Sequence, residues 1–309
     1  MLKNVKRVLN NLFRCFPNFY ILQIIRIISL KAFYVILQYI MKLQFSKYQG
    51  AGNDFILVDN RTGYFNHQRP EVLERLCDRR FGIGADGIMF LQEREGYDFE
   101  MVYYNADGKP SSMCGNGGRC IVAFAKHLGL IIEETNFLAV DGSHYAKISE
   151  DGSWVSLQMN DVEQIKTDGN AYVLNTGSPH YVTITSDLKE KDVFNDGKAI
   201  RYNAIYKADG INVNFVEDFQ DFYFVRTYER GVEDETYACG TGVTAVALAM
   251  AKHKGLTENI NTPIKALGGD LNIRFNSDGE KFTDIFLEGP AEFVFRGEIF
   301  IGEESEFSK

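Results

Sequence analysis

The chain has 309 residues, of which 45% are hydrophobic and 24% charged, and it carries 33 basic and 42 acidic side chains. These fractions are typical of a globular protein with room for two domains. Six basic and no acidic residues fall within residues 1–40, so the remaining body carries 27 basic and 42 acidic residues, a net charge of −15. This acidity argues against a nucleic-acid partner. Five cysteines without Cys-x-x-Cys spacing argue against a disulfide framework or a zinc site and favour a reducing cytoplasm.

Residues 1–40 do not share the pattern of the rest of the chain. Their apolar run at 19–40 has 22 residues, which is long enough to span a bilayer. Arg26 and Lys31 interrupt this run. Placing these two charged side chains in the bilayer would cost about 5–7 kcal/mol, and placing the apolar side chains there would contribute roughly 4–7 kcal/mol. Membrane insertion is therefore marginal, and a start at Met41, where a strand pattern begins, is favoured over a membrane anchor.

Apolar periodicity predicts the elements in chain order. Alternation from Leu43 predicts a strand that turns at 50–55 and resumes at 56–58, and helical spacing predicts a helix over 70–79. The glycine loop at 82–87 lacks the Gly-x-Gly-x-x-Gly spacing of a dinucleotide site. Further short strands are predicted at 88–91, 99–104, 171–174, 181–184, 211–216, 222–228, 271–275, 284–287 and 292–296, and around residues 138, 145 and 155. The pattern indicates an α+β protein of two halves, each with one central helix.

One motif occurs twice. Cys114-Gly-Asn-Gly and Cys239-Gly-Thr-Gly each begin an apolar helical run that ends in Ala-Lys-His-x-Gly-Leu. The beginnings are offset by 125 residues and the ends by 126, so one helix has an extra residue. A repeat of this length indicates a duplicated half, with two equivalent cysteines facing each other across the join.

Each of these cysteines is expected at the start of a helix, with Gly129 or Gly255 near its end. Unpaired N–H groups and the helix dipole stabilise anions there. The thiol pKa is therefore expected to fall from about 8.5 toward neutrality, and the same N–H groups can bind a substrate carboxylate. The other cysteines lack this context and are expected to be ordinary apolar side chains, with Cys120 in the core.

Two thiols on equivalent elements indicate paired acid–base catalysis. One thiolate would remove a proton from a carbon, and the other group, still a thiol, would return one from the opposite face. That is the chemistry of a stereoinverting enzyme. A single buried cysteine is usually no more than a small apolar side chain, but the recurrence of both in one glycine-rich context favours a catalytic role.

Six motifs together make the chain resemble the diaminopimelate epimerase family. They occur in the family's order between Met41 and about Phe295, at 50–55 (GAGNDF), 105–108 (NADG), 114–117 (CGNG), 177–180 (GSPH), 228–231 (YERG) and 238–242 (ACGTG). The resemblance implies an isomerase without metal or cofactor that interconverts LL- and meso-2,6-diaminopimelate in lysine and cell-wall precursor biosynthesis. It also implies two pseudo-symmetric domains, each a mostly antiparallel, barrel-like sheet around a central helix, with the active site in the cleft between them.

The expected organisation follows from this resemblance. Residues 1–40 are an extension, 41–160 form the N-terminal half, 161–289 form the C-terminal half, and 290–303 are a candidate to complete the first half. The expected partner is diaminopimelate, without nucleic acid or a membrane, in the cytoplasm. A homodimer is the expected assembly if the chain does not act alone.

The resemblance further implies roles for individual residues. The two bases are Cys114 and Cys239. The backbone N–H groups of four residues would bind the reacting carboxylate: Gly115, Asn116, Gly240 and Thr241. Five side chains would recognise the distal amino-acid centre: Asn53, Asn105, Asn212, Glu229 and Arg230. Arginine suits a carboxylate, whereas glutamate and asparagine suit an ammonium group.

Several of these residues also have a purely structural interpretation. The turns at Asn53 and Asn105 would by themselves favour asparagine, and Glu229-Arg230 alone would be typical of a solvated pair. His180 is expected to support the site rather than act as a base. Ser178 replaces an asparagine found in many family members, which weakens the case for its direct contact with substrate.

Three other functions stay open. A proline- or hydroxyproline-type racemase or epimerase also pairs two cysteines, but its cyclic substrate offers no distal carboxylate to Arg230. A thiol–disulfide redox protein would use Cys114 and Cys239 without needing Glu229-Arg230 or two anion-binding helix starts. A membrane-anchored binding module would depend on residues 1–40, and an active protein starting at Met41 would count against it.

Overall fold

The computed structural model describes residues 40–302, and the predictions for residues 1–39 lie outside this range. The chain divides into two units: residues 45–297, and a smaller unit from both chain ends, of which 40–44 and 298–302 are described. In the smaller unit the side chains of Lys42 and Gln44 donate to Glu298 at 2.9 and 2.8 Å. The larger unit holds both copies of the cysteine motif.

The N-terminal half winds seven consecutive strands around one helix. The strands are β1 (Ile40–Gly50), β2 (Asn53–Asp59), β3 (Gly87–Gln92), β4 (Phe99–Asn105), β5 (Glu134–Ala139), β6 (Gly142–Ile148) and β7 (Trp154–Gln158). Helix α1 (Pro70–Cys77) follows β2, and helix α2 (Gly115–His127) follows β4. The last strand, β17 (Glu292–Gly302), pairs with β1.

The C-terminal half repeats this arrangement. Its strands are β8 (Lys166–Asp168), β9 (Ala171–Asn175), β10 (Pro179–Ile184), β11 (Asn212–Asp218), β12 (Tyr223–Glu229), β13 (Asp234–Thr236), β14 (Glu258–Ala266), β15 (Gly269–Ser277) and β16 (Phe282–Pro290). A 3-10 turn (Leu188–Glu190) and helix α3 (Val193–Arg201) lie between β10 and β11, and helix α4 (Gly240–Lys254) precedes β14.

Strand pairing shows the pseudo-symmetry directly. From β1 to β7 successive pairs are antiparallel, parallel, antiparallel, parallel, antiparallel and antiparallel. The pairs along β9, β10, β11, β12, β14, β15 and β16 follow the same order. The last strands of the two series, β7 and β16, pair antiparallel with each other from Trp154–Pro290 to Gln158–Phe286. The predicted α+β class with two pseudo-symmetric, mostly antiparallel halves is confirmed.

One helix forms the centre of each half. Helix α2 buries every residue from Gly115 to Ala125, and α4 buries every residue from Gly240 to Ala251 except Thr241. A helix buried on all sides needs partners all round it, and each helix packs into its own cluster of apolar strand residues. Each large apolar side chain buried there contributes about 1.5–3 kcal/mol. This burial fixes both helices, and with them the cysteines that begin them.

Several elements were not predicted from the sequence: the short strands β8 and β13, the 3-10 turn, helix α3 and strand β14. Helix α3 contains Gly197, where an added Cβ would lie 2.4 Å from the Tyr228 Cβ, so glycine is needed for close packing although it disfavours a helix. Strand β14 buries Ile260, Thr262 and Ile264 in alternation, but it contains Pro263, which counts against a strand in a sequence pattern. Both elements are stabilised by tertiary packing that local periodicity does not report.

Candidate active site

Both motif cysteines occupy the position that precedes a helix, as predicted. Cys114 is the N-cap of α2 and Cys239 the N-cap of α4, each with an extended backbone conformation. The Cys114 carbonyl accepts from the Gly118 N–H at 2.7 Å, and the Cys239 carbonyl accepts from the Val243 N–H at 2.9 Å. The first N–H groups of both helices are therefore left for the thiols and for a ligand.

The two helices meet N-terminus to N-terminus through glycine. A Cβ added to Gly115 would lie 3.6 Å from the Gly240 Cα, and one added to Gly240 would lie 3.3 Å from the Gly115 Cα. Both added atoms would also crowd the Leu287 Cδ2, at 2.6 and 3.0 Å. Glycine at the first position of each helix permits this approach, and Cys114 contributes to the raised pKa of Cys239.

The prediction that the pKa of both thiols falls is wrong, because the net shift at each is upward. Burial raises the pKa of Cys114, and burial followed by the charge of Glu229 raises the pKa of Cys239. Hydrogen bonds from backbone N–H groups do act in the predicted direction, from Gly117 and Asn116 to Cys114 and from Gly242 to Cys239. The helix starts therefore stabilise the thiolates as expected, but desolvation outweighs them.

A chain of hydrogen bonds ends at Cys239. The Asn214 amide donates to Nδ1 of His180 at 3.1 Å, which leaves Nε2–H to donate to the Thr241 hydroxyl at 2.9 Å. That hydroxyl lies 3.5 Å from the Cys239 sulfur. Burial, followed by the charge of Arg230, lowers the pKa of His180 to about 3. His180 is therefore neutral and orients Thr241 rather than exchanging protons at neutral pH.

Asn116 connects the two halves. Its amide nitrogen donates to the Asn53 side-chain oxygen at 2.6 Å and to the Ala238 carbonyl, in the other half, at 2.9 Å. Its oxygen accepts from Arg119 at 2.9 Å. Asn53 in turn donates to Asp86 at 3.0 Å. The side chains of Asn53 and Asn116 are therefore fixed by hydrogen bonds to other protein groups, and they position the residues around the site.

Three of the five residues expected to recognise the distal centre lie in the C-terminal half: Asn212, Glu229 and Arg230. Asn212 donates to the Ser178 hydroxyl at 2.8 Å and to the Pro179 carbonyl at 3.0 Å, and its oxygen accepts from the Arg230 N–H at 2.8 Å. The exposed Arg230 guanidinium donates to the Asp209 carbonyl at 3.1 Å. Because a carbonyl is a neutral acceptor, this contact leaves the positive charge of Arg230 free to bind a substrate carboxylate. Asn212 therefore positions Arg230 through its backbone.

The charge of Glu229 acts on both thiols. Its carboxylate accepts from the Thr236 hydroxyl at 3.0 Å, and burial raises its pKa. Its negative charge contributes to the raised pKa of Cys114 and of Cys239. A carboxylate in this place suits an ammonium group of the substrate, whose charge would offset its own.

The N-terminal half supplies residues from the equivalent strand ends. Asn105, the last residue of β4, lies opposite Gly87 on β3, next to the Asp86 that accepts from Asn53. Tyr103 was not predicted as a site residue. Its pKa is raised by burial and then by the charges of Cys114, Asp86 and Glu229. The strand register pairs Tyr103 with Met89, and its ring packs over Gly87, where an added Cβ would lie 2.5 Å from Cε2. Local sequence patterns do not indicate this position.

Neither a metal centre nor a membrane span emerges from the described residues. Across residues 40–302, His, Cys, Asp and Glu side chains do not gather in a group of three or more that could hold a metal ion. No helix within the same range combines the length and apolar character needed to cross a bilayer. Cys77 and Cys120 are buried, as expected for core residues, and Cys15 lies outside the described residues.

Solved structures share this fold at low sequence identity. A phenazine biosynthesis protein of the PhzF family from Bacillus anthracis gives a TM-score of 0.68 at 13% identity, covering 84% of this chain and 100% of that chain. A hydroxyproline epimerase from Agrobacterium vitis gives 0.61 at 13% identity, covering 85% of this chain and 93% of that chain. Similarity at this identity concerns the fold alone.

Sequence comparison is more specific. A diaminopimelate epimerase from Flavobacterium psychrophilum is 53% identical over 250 residues, covering 81% of this chain and 97% of the relative. One from Chlorobaculum tepidum is 42% identical over 259 residues, covering 81% and 98%. A family model described as diaminopimelate epimerase matches residues 45–165 and 172–294, one match in each half. With its paired helix starts and these matches, the chain belongs to the diaminopimelate epimerase family.

Proposed function

We propose that the protein interconverts LL- and meso-2,6-diaminopimelate by proton transfer between Cys114 and Cys239. The observation that carries the proposal is the meeting of α2 and α4 at Gly115 and Gly240, each directly after a cysteine. Epimerisation needs a base on one face of a carbon and an acid on the other. Two thiols on pseudo-symmetric helix starts supply one group to each face.

The α-carboxylate beside the reacting carbon would bind where the two helix starts converge. The N–H groups of Gly115, Asn116, Gly240 and Thr241 belong to the first turns of α2 and α4, whose dipoles favour negative charge. Loss of the α-proton moves further negative charge toward that carboxylate. Donors already aimed at it stabilise the carbanion without reorganisation, which is the largest contribution available to such a site.

The raised thiol pKa values suit this reaction. A carbon-bound α-proton is a very weak acid, and a thiolate formed from a thiol of high pKa is a stronger base than an ordinary one. Because its pKa is higher, a smaller fraction of each cysteine is ionised at neutral pH. An ammonium group of the substrate near Glu229 would offset the charge that helps to raise the pKa of both cysteines, so binding would promote ionisation of one of them.

Selectivity for a second amino-acid centre would come from the C-terminal half. Arg230 offers a guanidinium free to bind a distal carboxylate bidentately, and Asn212 fixes its backbone at 2.8 Å. Asn105 and Glu229, at equivalent strand ends of the two halves, suit the ammonium group. A cyclic imino acid has no distal carboxylate, and this difference favours diaminopimelate over proline as substrate.

The test is proton exchange at the α-carbon. The full-length reduced protein would be incubated with LL-diaminopimelate in D₂O, and deuterium uptake and the meso isomer would be followed together. Cys114→Ala and Cys239→Ala should each lower epimerisation by at least about 10²–10⁴-fold. Cys77→Ala, at a buried cysteine of α1, is the matched control and should remain active. An active single variant at either motif cysteine, or turnover of proline in place of diaminopimelate, would overturn the proposal.

We further propose that the enzyme acts in the cytoplasm, where both thiols stay reduced. The domain limits 41–160 and 161–289 are supported by the two family matches at 45–165 and 172–294, and 290–303 would complete the first half through β17. A homodimer independent of nucleic acid and membrane stays a prediction. Light scattering of the purified protein at two concentrations measures the assembly, and a monomer at both would contradict the dimer.

A further inference from the structure

The glycine loop at 82–87 has no role in the mechanism proposed above, yet its backbone is closely fixed. The four N–H groups from Gly82 to Ala85 donate to the carbonyls of residues 76–78, at the end of α1, at 2.9–3.1 Å. The N–H of Asp86 donates to the Asp54 carbonyl at 2.9 Å. Because these N–H groups are satisfied within the protein, the loop does not offer them to a phosphate. What it presents is the side chain of Asp86.

Glycine allows the loop to lie directly on the end of α1. A Cβ added to Gly82 would lie 2.0 Å from the Arg75 carbonyl oxygen. Gly84 has a φ of +81°, and a Cβ added there would lie 2.9 Å from the Arg79 Cα. Larger residues at these two positions would push the loop away from the helix. The close packing therefore fixes where the Asp86 carboxylate lies.

The Asp86 carboxylate accepts three hydrogen bonds. Its Oδ2 accepts from the Asn53 amide at 3.0 Å and from the Asp54 N–H at 3.2 Å, and its Oδ1 accepts from Arg79 at 2.7 Å. Arg79 also donates to both oxygens of the Asp54 side chain, at 2.6 and 2.9 Å, and Lys47 lies 2.7 Å from the same carboxylate. Two cations thus balance two carboxylates, and this cluster holds Asp86 from the side opposite Asn53.

Charged groups at both ends fix the direction of the hydrogen bonds that run from Asp86 to α2. A carboxylate only accepts and a guanidinium only donates. Asp86 therefore takes the amide nitrogen of Asn53, whose oxygen accepts from Asn116 at 2.6 Å, while Arg119 donates to the Asn116 oxygen at 2.9 Å. Turning either amide by 180° would set donor against donor and oxygen against oxygen. Both amides are held in one orientation.

The chain of hydrogen bonds ends beside both cysteines. Asn116 is the second residue of α2, which follows Cys114. Its amide also donates, at 2.9 Å, to the carbonyl of Ala238, the residue before Cys239. Asn53 therefore joins the glycine loop to backbone next to each of the two thiols.

We propose that Asp86 is a positioning residue for the epimerisation, because it holds the Asn53 amide in place at the start of α2. The inference rests on the function proposed above, in which Asn53 contacts the substrate. Asp86 acts through Asn53 and has no part in the proton transfer itself. Without an acceptor at residue 86, the Asn53 side chain can rotate away from Asn116 and from the substrate.

The test is a double-mutant cycle read in kcat/KM for LL-diaminopimelate, with full-length protein. Asp86→Ala should lower kcat/KM by about 10–100-fold, as expected when a substrate-positioning group is misplaced. The same change made in Asn53→Ala should cause no further loss, because the group that Asp86 holds is already absent. Losses that multiply would show that Asp86 acts independently of Asn53, and they would overturn the inference. If Asp86→Ala does not fold, Asp86→Ser, whose side chain is too short to reach Asn53, replaces it in the cycle.

Two further variants separate the hydrogen bond from general stability. Asp86→Asn keeps an oxygen that can accept from Asn53, and Arg79 keeps its two bonds to Asp54, so this variant should recover most of the activity that Asp86→Ala loses. An asparagine variant as impaired as the alanine variant would contradict the role of the acceptor.

The matched control is Asp98→Ala, at the other end of β4 from Asn105. Asp98 likewise accepts from a side chain and from the next backbone N–H, those of Thr135 and Asn136, both at 2.8 Å. Its removal should leave kcat/KM unchanged, and an equal loss in this control would overturn the inference. None of these results bears on the two-thiol mechanism, which fails only if a single-cysteine variant stays active or the unsubstituted protein does not turn over diaminopimelate.

Discussion

The amide of Asn116 bonds to two residues of its own half and, through the Ala238 carbonyl, to the other half. It is fully buried and satisfies the Asn53 oxygen at 2.6 Å, the Ala238 carbonyl at 2.9 Å and one N–H of Arg119 at 2.9 Å. Asn116→Ala removes all three partners at once. A buried polar group left unsatisfied costs about 1–3 kcal/mol, so allowing for some relaxation we expect a loss of about 3–5 kcal/mol in the free energy of unfolding.

Urea unfolding followed by circular dichroism measures this loss. The matched control is Asn272→Ala, because Asn272 also donates twice, to Asn261 at 2.7 Å and to Glu288 at 2.8 Å, but from a partly exposed position. Water can replace those bonds, so the control should lose less than about 1 kcal/mol. Asn116 makes three of these hydrogen bonds and Asn272 two, so a difference in loss larger than one hydrogen bond, about 0.5–1.5 kcal/mol, reports the effect of burial.

A double-mutant cycle with Asn53→Ala sharpens the result. If Asn53 and Asn116 stabilise the fold through their mutual bond, their coupling energy should lie within about 0.5–3 kcal/mol. A loss for Asn116→Ala no larger than that for Asn272→Ala, together with zero coupling to Asn53, would show that this network does not stabilise the fold. The geometric argument for it would then be wrong.

Three further predictions concern recognition, pH and packing. Arg230→Lys should lower kcat/KM for diaminopimelate by about 10–100-fold, mainly through KM, because it loses bidentate binding; an unchanged KM would exclude the assigned role. Burial raises the Asp54 pKa, but hydrogen bonds from Arg79 and Lys47 lower it from 3.8 to about 2. The unfolded state thus binds protons more readily, so stability should fall between about pH 4 and pH 2, and Asp54→Asn should remove this part of the acid-unfolding curve; a curve of unchanged shape would contradict it. Gly240→Ala should cost about 1–3 kcal/mol and most of the activity, since its Cβ would lie 3.3 Å from the facing glycine's Cα; wild-type melting and turnover would refute the close approach.

The sequence predicted features that depend on local signals. The glycine-rich starts and small-residue runs of α2 and α4 located both helices, and the offset of 125 residues indicated the duplication that the strand pairing confirms. These predictions succeeded because an N-cap, a helix and a repeat each depend on neighbouring residues. Helix α3 was missed because Gly197 packs against Tyr228, a partner on a distant strand.

The electrostatics of the site could not be predicted in the same way. A helix start lowers a thiol pKa by local geometry, but how far a thiol is removed from water depends on the whole fold. The sequence therefore predicted the hydrogen bonds at the helix starts, which lower the pKa of Cys114 and Cys239, but not the burial, which raises it by more. Tyr103 and Arg119 were missed for a related reason, because their burial and their electrostatic effects at Cys114 depend on the packing of the whole fold.

The ladder between β7 and β16 has a mechanical consequence. Five residue pairs, from Trp154–Pro290 to Gln158–Phe286, join the two halves as one hydrogen-bonded ribbon. Any rotation of one half against the other must twist this ribbon, and Gly289 within it lies close to Arg119, where an added Cβ would be 3.2 Å from Nε. Because Arg119 is buried in α2 and donates to Asn116, such a twist would also disturb the start of the helix that follows Cys114.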